Sequence, residues 1–242
     1  MKVGIGVISY NRPKECKEVC EAILRTVNQE AHAIQTICAL DTENKDGYEW
    51  VEENFGLISR PNKGIAVNKN RALKHLKDND LIFLFEDDFK PIKKSWIELY
   101  ATAINETQMQ HFNHIRLDHR TKMLGQQRYP TITLLFYEKN TAQLMVFTKN
   151  VVEKVGAFDP EYGLYGFEHS DYTRRCKNIG LCLPKSHNVN HFLLEGDLFF
   201  EEMPVEPCLD EETMNESIKK ANDYYMKYNK DRIYIPFPEG EF

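Results

Sequence analysis

The sequence contains no uninterrupted apolar run approaching the roughly 18 residues that a membrane span requires, so no span is expected. Met1 leads straight into a strand-like segment, with no basic flank and no small-residue cleavage site. On that ground the chain is expected in the cytoplasm, or as a piece of something longer. There are no internal repeats and no low-complexity linker. The six cysteines, Cys16, Cys20, Cys38, Cys176, Cys182 and Cys208, show no paired metal-ligand spacing. Cys16 and Cys20 stand one helical turn apart on a shared face, which favours reduced, partly buried thiols over zinc ligands or a disulfide framework. Between Glu195 and Glu216 there is neither Lys nor Arg among nine acids. Such a stretch is usually a solvated face or a mobile segment, and with a net charge of −6 it repels nucleic acid.

The 242 residues are 42% hydrophobic and 12% aromatic, which excludes a disordered chain and suffices for one sizeable core. One domain over residues 1–242 is expected, in three stretches to about residue 90, to about residue 200 and a C-terminal helix and tail. Val3 to Ser9 reads as a buried strand ending in a turn at Asn11 and Pro13. From Pro13 to Asn28, apolar residues at three- and four-residue spacing predict an amphipathic helix, with Pro13 in its first turn. Strands follow at Ile34–Leu40 and Leu81–Phe85, with a helix over Gly64–Lys77 between them. This alternation predicts an α/β fold with a mostly parallel sheet flanked by helices.

Ligands of such sheets bind beyond the carboxyl ends of the strands. Three polar clusters fall there: Ser9-Tyr10-Asn11, Asp41, and Glu86-Asp87-Asp88. The second half is less regular. Helices are expected at Ser95–Asn105, Lys149–Val155, Glu168 to about Gly180 and Thr213–Asn229. Strands are expected at Thr131–Tyr137, Ala142–Phe147 and Leu181–Leu183, with an extended tail over Ile233–Phe242 and a ligand-shaping or mobile loop at Tyr162–Phe167.

Adjacent carboxylates repel, so the triple acid needs solvent, basic partners or a divalent cation such as Mg²⁺ or Mn²⁺. A solvated strand end explains it equally well. In Glu168-His169-Ser170-Asp171 the acids suit a helix N-terminus, with Ser170 or Asp171 as cap, while His169 and the carboxylates also have the chemistry of general bases. His191 is structural by default, with His187 an alternative. Lys63-Gly64 could offer backbone N–H groups and a cation to a phosphate. Lys63, Lys69, Arg71 and Lys74 form a small basic cluster with a local role, beside a phosphate or in solvent.

In this order, the segments from residue 3 to 192 resemble the family 2 glycosyltransferases and their relatives with the GT-A, Rossmann-like nucleotide-sugar fold, which carries a smaller mixed acceptor-side region. Ser9 to Pro13 is similar to the family's first nucleotide loop, Asn62-Lys63-Gly64 through Asn70-Arg71 to its Asn-x-Gly…Asn helix, and Phe83 through Asp88 to its metal motif. Val155-Gly156-Ala157-Phe158-Asp159, then Glu168-His169-Ser170-Asp171, Arg175 and Gly180, resemble its Gly-x-Phe-Asp segment and Glu-Asp-x-Asp…Arg…Gly helix.

The resemblance implies a nucleotide-sugar donor, commonly a UDP-sugar, seated by Ser9, Tyr10, Asn11, Arg12, Asp41, Lys63, Gly64, Asn70 and Asp87. It implies Mn²⁺ or Mg²⁺ on Asp88, with Glu86 and His191, and transfer with inversion. His169 stands where the family has the acid often named as base, so Glu168, His169 and Asp171 all remain candidates. The acceptor is expected to be a carbohydrate or glycan, with modified DNA or protein as alternatives. Two rival readings are a nucleotidyltransferase, against which Gly4-Ile5-Gly6-Val7 lies within a strand, and a non-catalytic nucleotide- or carbohydrate-binding module.

Overall fold

The computed structural model describes residues 1–114, 122–137, 142–182, 190–228 and 231–238, with the backbone alone at 190–192. Its central sheet begins with β1 (Lys2–Ser9), β2 (Ala33–Leu40), β3 (Leu57–Ser59) and β4 (Leu81–Glu86). These are parallel, in the order β3-β2-β1-β4. β1 and β4 are buried along almost their whole length, as expected of apolar strands covered on both faces. Beyond β4 the sheet continues through β9 (Leu144–Thr148) and β6 (His111–His114), with antiparallel pairing at β4–β9 and β9–β6.

The helical returns follow the apolar periodicity. α1 (Pro13–Thr26) buries Cys16, Val19, Cys20 and Ile23, and Pro13 occupies its first turn. α3 (Ile65–Leu76) follows the short α2 (Glu49–Asn54) and packs directly on β1. The glycines in β1 permit this approach. A Cβ on Gly6 would lie 2.7 Å from Leu84 Cδ2 and 3.2 Å from the Ala72 Cβ, and one on Gly4 would lie 3.1 Å from the Leu76 Cβ. Gly4 and Gly6 therefore serve helix–strand packing rather than a phosphate-binding turn.

Four consecutive polar residues of α3, Asn68, Lys69, Asn70 and Arg71, are all buried. Consecutive helical positions point about 100° apart, so each must find its own partner. Asn70 donates Nδ2–H to the Phe158 carbonyl (2.9 Å) and accepts the Phe158 N–H (2.7 Å). The Gly156–Asp159 segment is held by further bonds. Arg175 in α6 (Glu168–Asn178) donates to the Val155 and Ala157 carbonyls (2.8 and 2.9 Å), and Tyr172 donates to the Gly156 carbonyl (3.1 Å).

The remaining elements build the other side. α4 (Trp96–Thr107) sets Trp96 edge-on to Phe83, with ring centroids 4.7 Å apart. β5 (Phe89–Pro91) pairs with β11 (Phe200–Glu202), and β8 (Thr133–Tyr137) lies between β7 (Met123–Arg128) and β10 (Asn190–Leu193). α5 (Lys149–Val155) precedes the glycine segment, and α7 (Glu211–Lys227) starts at Asp210, whose carboxylate accepts the Thr213 N–H at 2.8 Å.

Several expectations need correction. Leu181 and Cys182 form a bend rather than a strand, and Leu183 lies outside the described residues, as does His187. Neither Ser170 nor Asp171 caps α6. Phe167 occupies that place with a left-handed φ of 66° and no side-chain cap. The tail is anchored where Ile235 bridges Gly156, although residues 239–242 lie outside the described residues. β6, read as His-Phe-Asn-His, offers no apolar pattern, yet all four residues are buried. His111 joins the Val146 carbonyl and Thr173 Oγ1, both at 2.9 Å.

Replacing Asn70 with Ala strands two buried backbone groups of Phe158. The unfolding free energy, measured by urea titration, should fall by about 2–4 kcal/mol.

Candidate donor and catalytic site

Register brings the polar strand ends together. Ser9 pairs with Leu40 across β1–β2 and Ile8 with Glu86 across β1–β4, so the residues that follow emerge at one edge. They line a cleft of about 340 Å³ whose wall includes Ser9, Tyr10, Arg12, Asp41, Asn62, Asn68, Glu86, Asp87 and Asp88. Asn68 stitches this edge through a 2.8 Å bond to the Ala39 carbonyl.

Asp87 is buried and accepts bonds from Ser9 Oγ (2.7 Å) and Arg12 Nη1 (3.0 Å). Ser9 Oγ also lies 3.1 Å from Tyr48 Oη, and Tyr48 Oη receives the Arg12 N–H at 2.9 Å. Burial raises the Asp87 carboxyl to about 6, against the opposing pull of Ser9 and Arg12. Asn11 adopts a left-handed φ of 54° between Tyr10 and Arg12, a conformation asparagine tolerates better than most residues. The two cleft-lining side chains are its neighbours, and Asn11 itself is exposed.

Asp41 is buried at the end of β2. Its Oδ1 accepts from Arg71 Nη1 (3.0 Å) and from the Lys63 backbone N–H (3.1 Å). The Lys63 side chain points outward and is exposed. Gly64, at φ 94°, has its Cα so close to the Tyr162–Phe167 loop that a Cβ would lie 2.0 Å from the Gly163 carbonyl oxygen. The Ile65 N–H then bonds the Leu164 carbonyl at 3.2 Å. That clamp sets Leu164 and Tyr165 into the cleft wall, so the loop does shape the site. Asn70, by contrast, is spent on Phe158 and does not line the cleft.

Asp88 forms the acidic floor. Burial, then repulsion from Asp87, raise it to about 6. Its Oδ1 is buried with no hydrogen-bond partner, which is the kind of atom a cation would satisfy. Among the described residues no three His, Cys, Asp or Glu side chains are grouped to cage an ion. The unpartnered Asp88 oxygen would suit a hard divalent ion such as Mg²⁺ or Mn²⁺, which takes carboxylate oxygens together with phosphate or water oxygens. Glu86 is committed elsewhere, 3.2 Å from Lys69 Nζ. The backbone of His191 pairs with Phe136 in β10, and its side chain lies outside the described residues.

The basic cluster differs most from expectation. Arg71 is bound to Asp41, and Lys69, 2% exposed, lies between Glu86 and Glu168, 2.8 Å from the latter. Burial opposes the Lys69 charge, but the two carboxylates outweigh it and raise its pKa. Burial likewise works to raise Glu168, yet Lys69 and then His169 reverse that and leave it low. His169 Nδ1 lies 3.2 Å from Glu168 Oε1. Asp171 is gripped by Arg174 and by Arg175 Nε, the latter at 2.8 Å.

Most acids after Glu195 are solvent-exposed as expected, but the segment that carries them also forms one wall of the cleft. β11 lies beside β5, the Met203 N–H bonds the Asp88 carbonyl (2.7 Å), and Arg12 Nη2 reaches the Glu206 carbonyl (2.7 Å). Glu202, Val205, Pro207, Cys208, Leu209 and Met214 line the cleft. The apolar members of this strap, spaced between acids, were its one visible signal in the sequence. Nothing in the sequence marked Tyr48, and Lys69 could not be told from the exposed Lys63.

No protein-family model matches the chain. It is 27% identical to an uncharacterized glycosyltransferase, R363, of Acanthamoeba polyphaga mimivirus, over 95% of this chain and 94% of that protein. The fold is similar to that of S. aureus TarS 1–349 in complex with UDP-GlcNAc, with a TM-score of 0.58 at 12% identity, over 86% of this chain. The chain spans only 60% of that TarS chain. It is also similar to the mannosyltransferase PcManGT from Pyrobaculum calidifontis, in complex with GDP-Man and Mn²⁺ (TM-score 0.55, 11% identity, 74% of this chain and 52% of that one). A third likeness is to GalNAc-T7 with UDP, GalNAc and Mn²⁺ (TM-score 0.59, 8% identity, 80% of this chain and 42% of that one). The fold is that of the GT-A glycosyltransferases. The likeness to R363 extends over nearly the whole length of both chains.

Asp171→Asn removes the charge shared by the buried Arg175 and the half-buried Arg174. It should cost about 3 kcal/mol of stability in a urea titration, a loss that a purely catalytic acid would not produce.

Proposed function

We propose that the chain moves a sugar from a UDP-sugar to an acceptor hydroxyl, with a divalent ion at Asp88. One observation carries this reading: the edge where β1, β2 and β4 end holds Ser9, Asp41 and Asp87 around a cleft whose floor presents the unpartnered Oδ1 of Asp88. The UDP-GlcNAc, GDP-Man and Mn²⁺ present with the similar structures support a nucleotide-sugar and a metal.

In this reading Asp41, with Tyr10 and Asn62, seats the nucleoside, and Asp87 with Ser9 and Arg12 faces the ribose and phosphates. Lys63 and Gly64 act through the backbone that shapes the Asp41 pocket. A bound Mn²⁺ or Mg²⁺ would neutralise charge developing on the diphosphate leaving group. The acceptor oxygen attacks the anomeric carbon from the face opposite the diphosphate, so a single displacement inverts that centre. A carbohydrate acceptor suits the overall charge of −6 better than DNA does. Among the described residues no helix is long and apolar enough to cross a membrane. The nucleotidyltransferase alternative loses support because Gly4 and Gly6 pack against α3 inside β1.

The reading is tested by melting temperature with UDP, GDP and their sugars, each with Mn²⁺ or EDTA. At a hundredfold excess over Kd, binding adds about 2.7 kcal/mol, or a rise of about 5–10 °C for a chain of this size. UDP with Mn²⁺ should give that rise and EDTA should cancel it; no nucleotide-dependent rise would refute the donor site. Asp88→Asn should retain the unliganded melting temperature and lose at least about a hundredfold in Mn²⁺-dependent UDP release. Protons compete with the cation for a carboxyl raised to about 6, so Mn²⁺ affinity in the presence of UDP should weaken as pH falls below that value. Calorimetry should find a loss of about tenfold per pH unit.

A further inference from the structure

Three cysteines gather behind the Ser9 wall of the cleft. The α carbons of Gly4 and Gly6 abut α3, so Ile5, Val7 and Ser9 of β1 point to the opposite face. α1 brings Cys16 and Cys20 to that face, one helical turn apart. β2 adds Cys38, which stands opposite Val7 in the parallel register, two residues before the Ser9–Leu40 pair. All three thiols are fully buried, and Cys16 Sγ and Cys38 Sγ lie 3.3 Å apart.

A disulfide sets its sulfurs about 2.05 Å apart, so this pair needs to close by about 1.3 Å. Cys20 does not compete for Cys16. On consecutive turns of one helix the Cβ atoms stand about 5–6 Å apart, beyond the roughly 3.5–4.5 Å that a disulfide spans. Thiols buried in apolar surroundings are ordinarily raised and inert. Cys20 and Cys38 follow that rule, with burial as the main cause. Cys16 departs from it. Hydrogen bonds from Cys20 and Cys38 outweigh its burial and, with Ser9, hold it well below the ordinary thiol range. The cluster thus places a sulfur with thiolate character in contact with a second thiol on another element.

We propose that Cys16 and Cys38 are a modification site, oxidised by a peroxide to a reversible disulfide that weakens donor binding. The disulfide stands on the geometry alone, and its effect on the donor rests on the glycosyl-transfer reading above. Cys16 sulfur attacks one oxygen of hydrogen peroxide, the O–O bond breaks, and water leaves a sulfenic acid. Cys38 sulfur then displaces the hydroxyl from Cys16 as a second water, and the S–S bond forms. Two thiols give up two electrons, and the peroxide takes them. The link to the cleft is direct. Ser9 Oγ donates to Asp87 at 2.7 Å, and the Cys16 N–H bonds the Arg12 carbonyl at 2.9 Å. Drawing the Cys16 sulfur toward β2 takes it away from Ser9 and pulls on the turn that carries Arg12, whose guanidinium holds Asp87 from the other side.

The test treats the reduced full chain with hydrogen peroxide, alkylates the remaining thiols and maps linked peptides by mass spectrometry. The rise in melting temperature with UDP and Mn²⁺ is measured on the same samples. A linked Cys16–Cys38 peptide is expected, with two of the six thiols lost and both changes reversed by dithiothreitol. At a hundredfold excess over Kd, a roughly tenfold weaker affinity halves the UDP-induced rise, and that is the fall expected of the oxidised chain. Cys38→Ala should keep the same rise before and after peroxide, and Cys20→Ala should still form the Cys16–Cys38 link. A treated chain that keeps all its thiols, links Cys16 elsewhere or carries it as sulfinic acid overturns the modification site. The link with an unchanged UDP-induced rise overturns its coupling to the donor, as does a Cys38→Ala chain whose rise falls with peroxide. A reduced chain with no UDP-induced rise refutes the donor reading and the coupling together, while the peptide map still decides the disulfide.

Discussion

One buried ammonium joins the two halves of the site. Lys69 projects from α3, meets Glu86 at the end of β4 and meets Glu168 at the start of α6. Taking a lysine out of water is costly, and one carboxylate rarely compensates. Here two do, and each belongs to a different element. The sheet edge, the covering helix and the helix bearing His169 therefore share one electrostatic solution. Displacing any of them would leave an unpaired charge in the interior.

The neighbours of Lys69 on α3 extend the same principle. Asn68 ties the strand ends, Asn70 closes on Phe158, and Arg71 neutralises Asp41. A helix buried on every side is usually apolar, yet this one carries polar groups because each has a designated partner. The Gly-x-Phe-Asp segment is held in the same manner, by Asn70, Tyr172 and Arg175. Its part is to fix α6 relative to α3, which in turn fixes Glu168 relative to the cleft.

The strap from Glu202 to Met214 has the opposite character. It contributes one acid, Glu202, and several apolar side chains to the cleft wall, and it is attached by the Met203 N–H to the Asp88 carbonyl, by the Arg12 guanidinium to the Glu206 carbonyl and by Cys208 Sγ to the Tyr10 carbonyl. Charge alone suggested a segment repelled from anything anionic. Proximity changes that meaning, since Arg12 is shared between this strap and Asp87.

Periodicity and strand-end chemistry made the first half legible. Helix α1, the parallel strands and the acids after β4 all follow from patterns a few residues long, as does the resemblance to GT-A glycosyltransferases. Local pattern could not show that Lys69 is buried and Lys63 exposed, that Asn70 bonds Phe158, or that Asp171 is held by two arginines. Those distinctions depend on residues far away in sequence, such as Phe158 for Asn70. β6 was hidden for the same reason, because the partners that make two histidines acceptable in a core lie on β9 and α6. By itself the sequence determined which elements form and which chemical groups gather at the strand ends, because backbone geometry and apolar spacing are local. Only the tertiary structure decided which charges are consumed in pairing and which stay available, because desolvation and Coulomb energy depend on who is near in space.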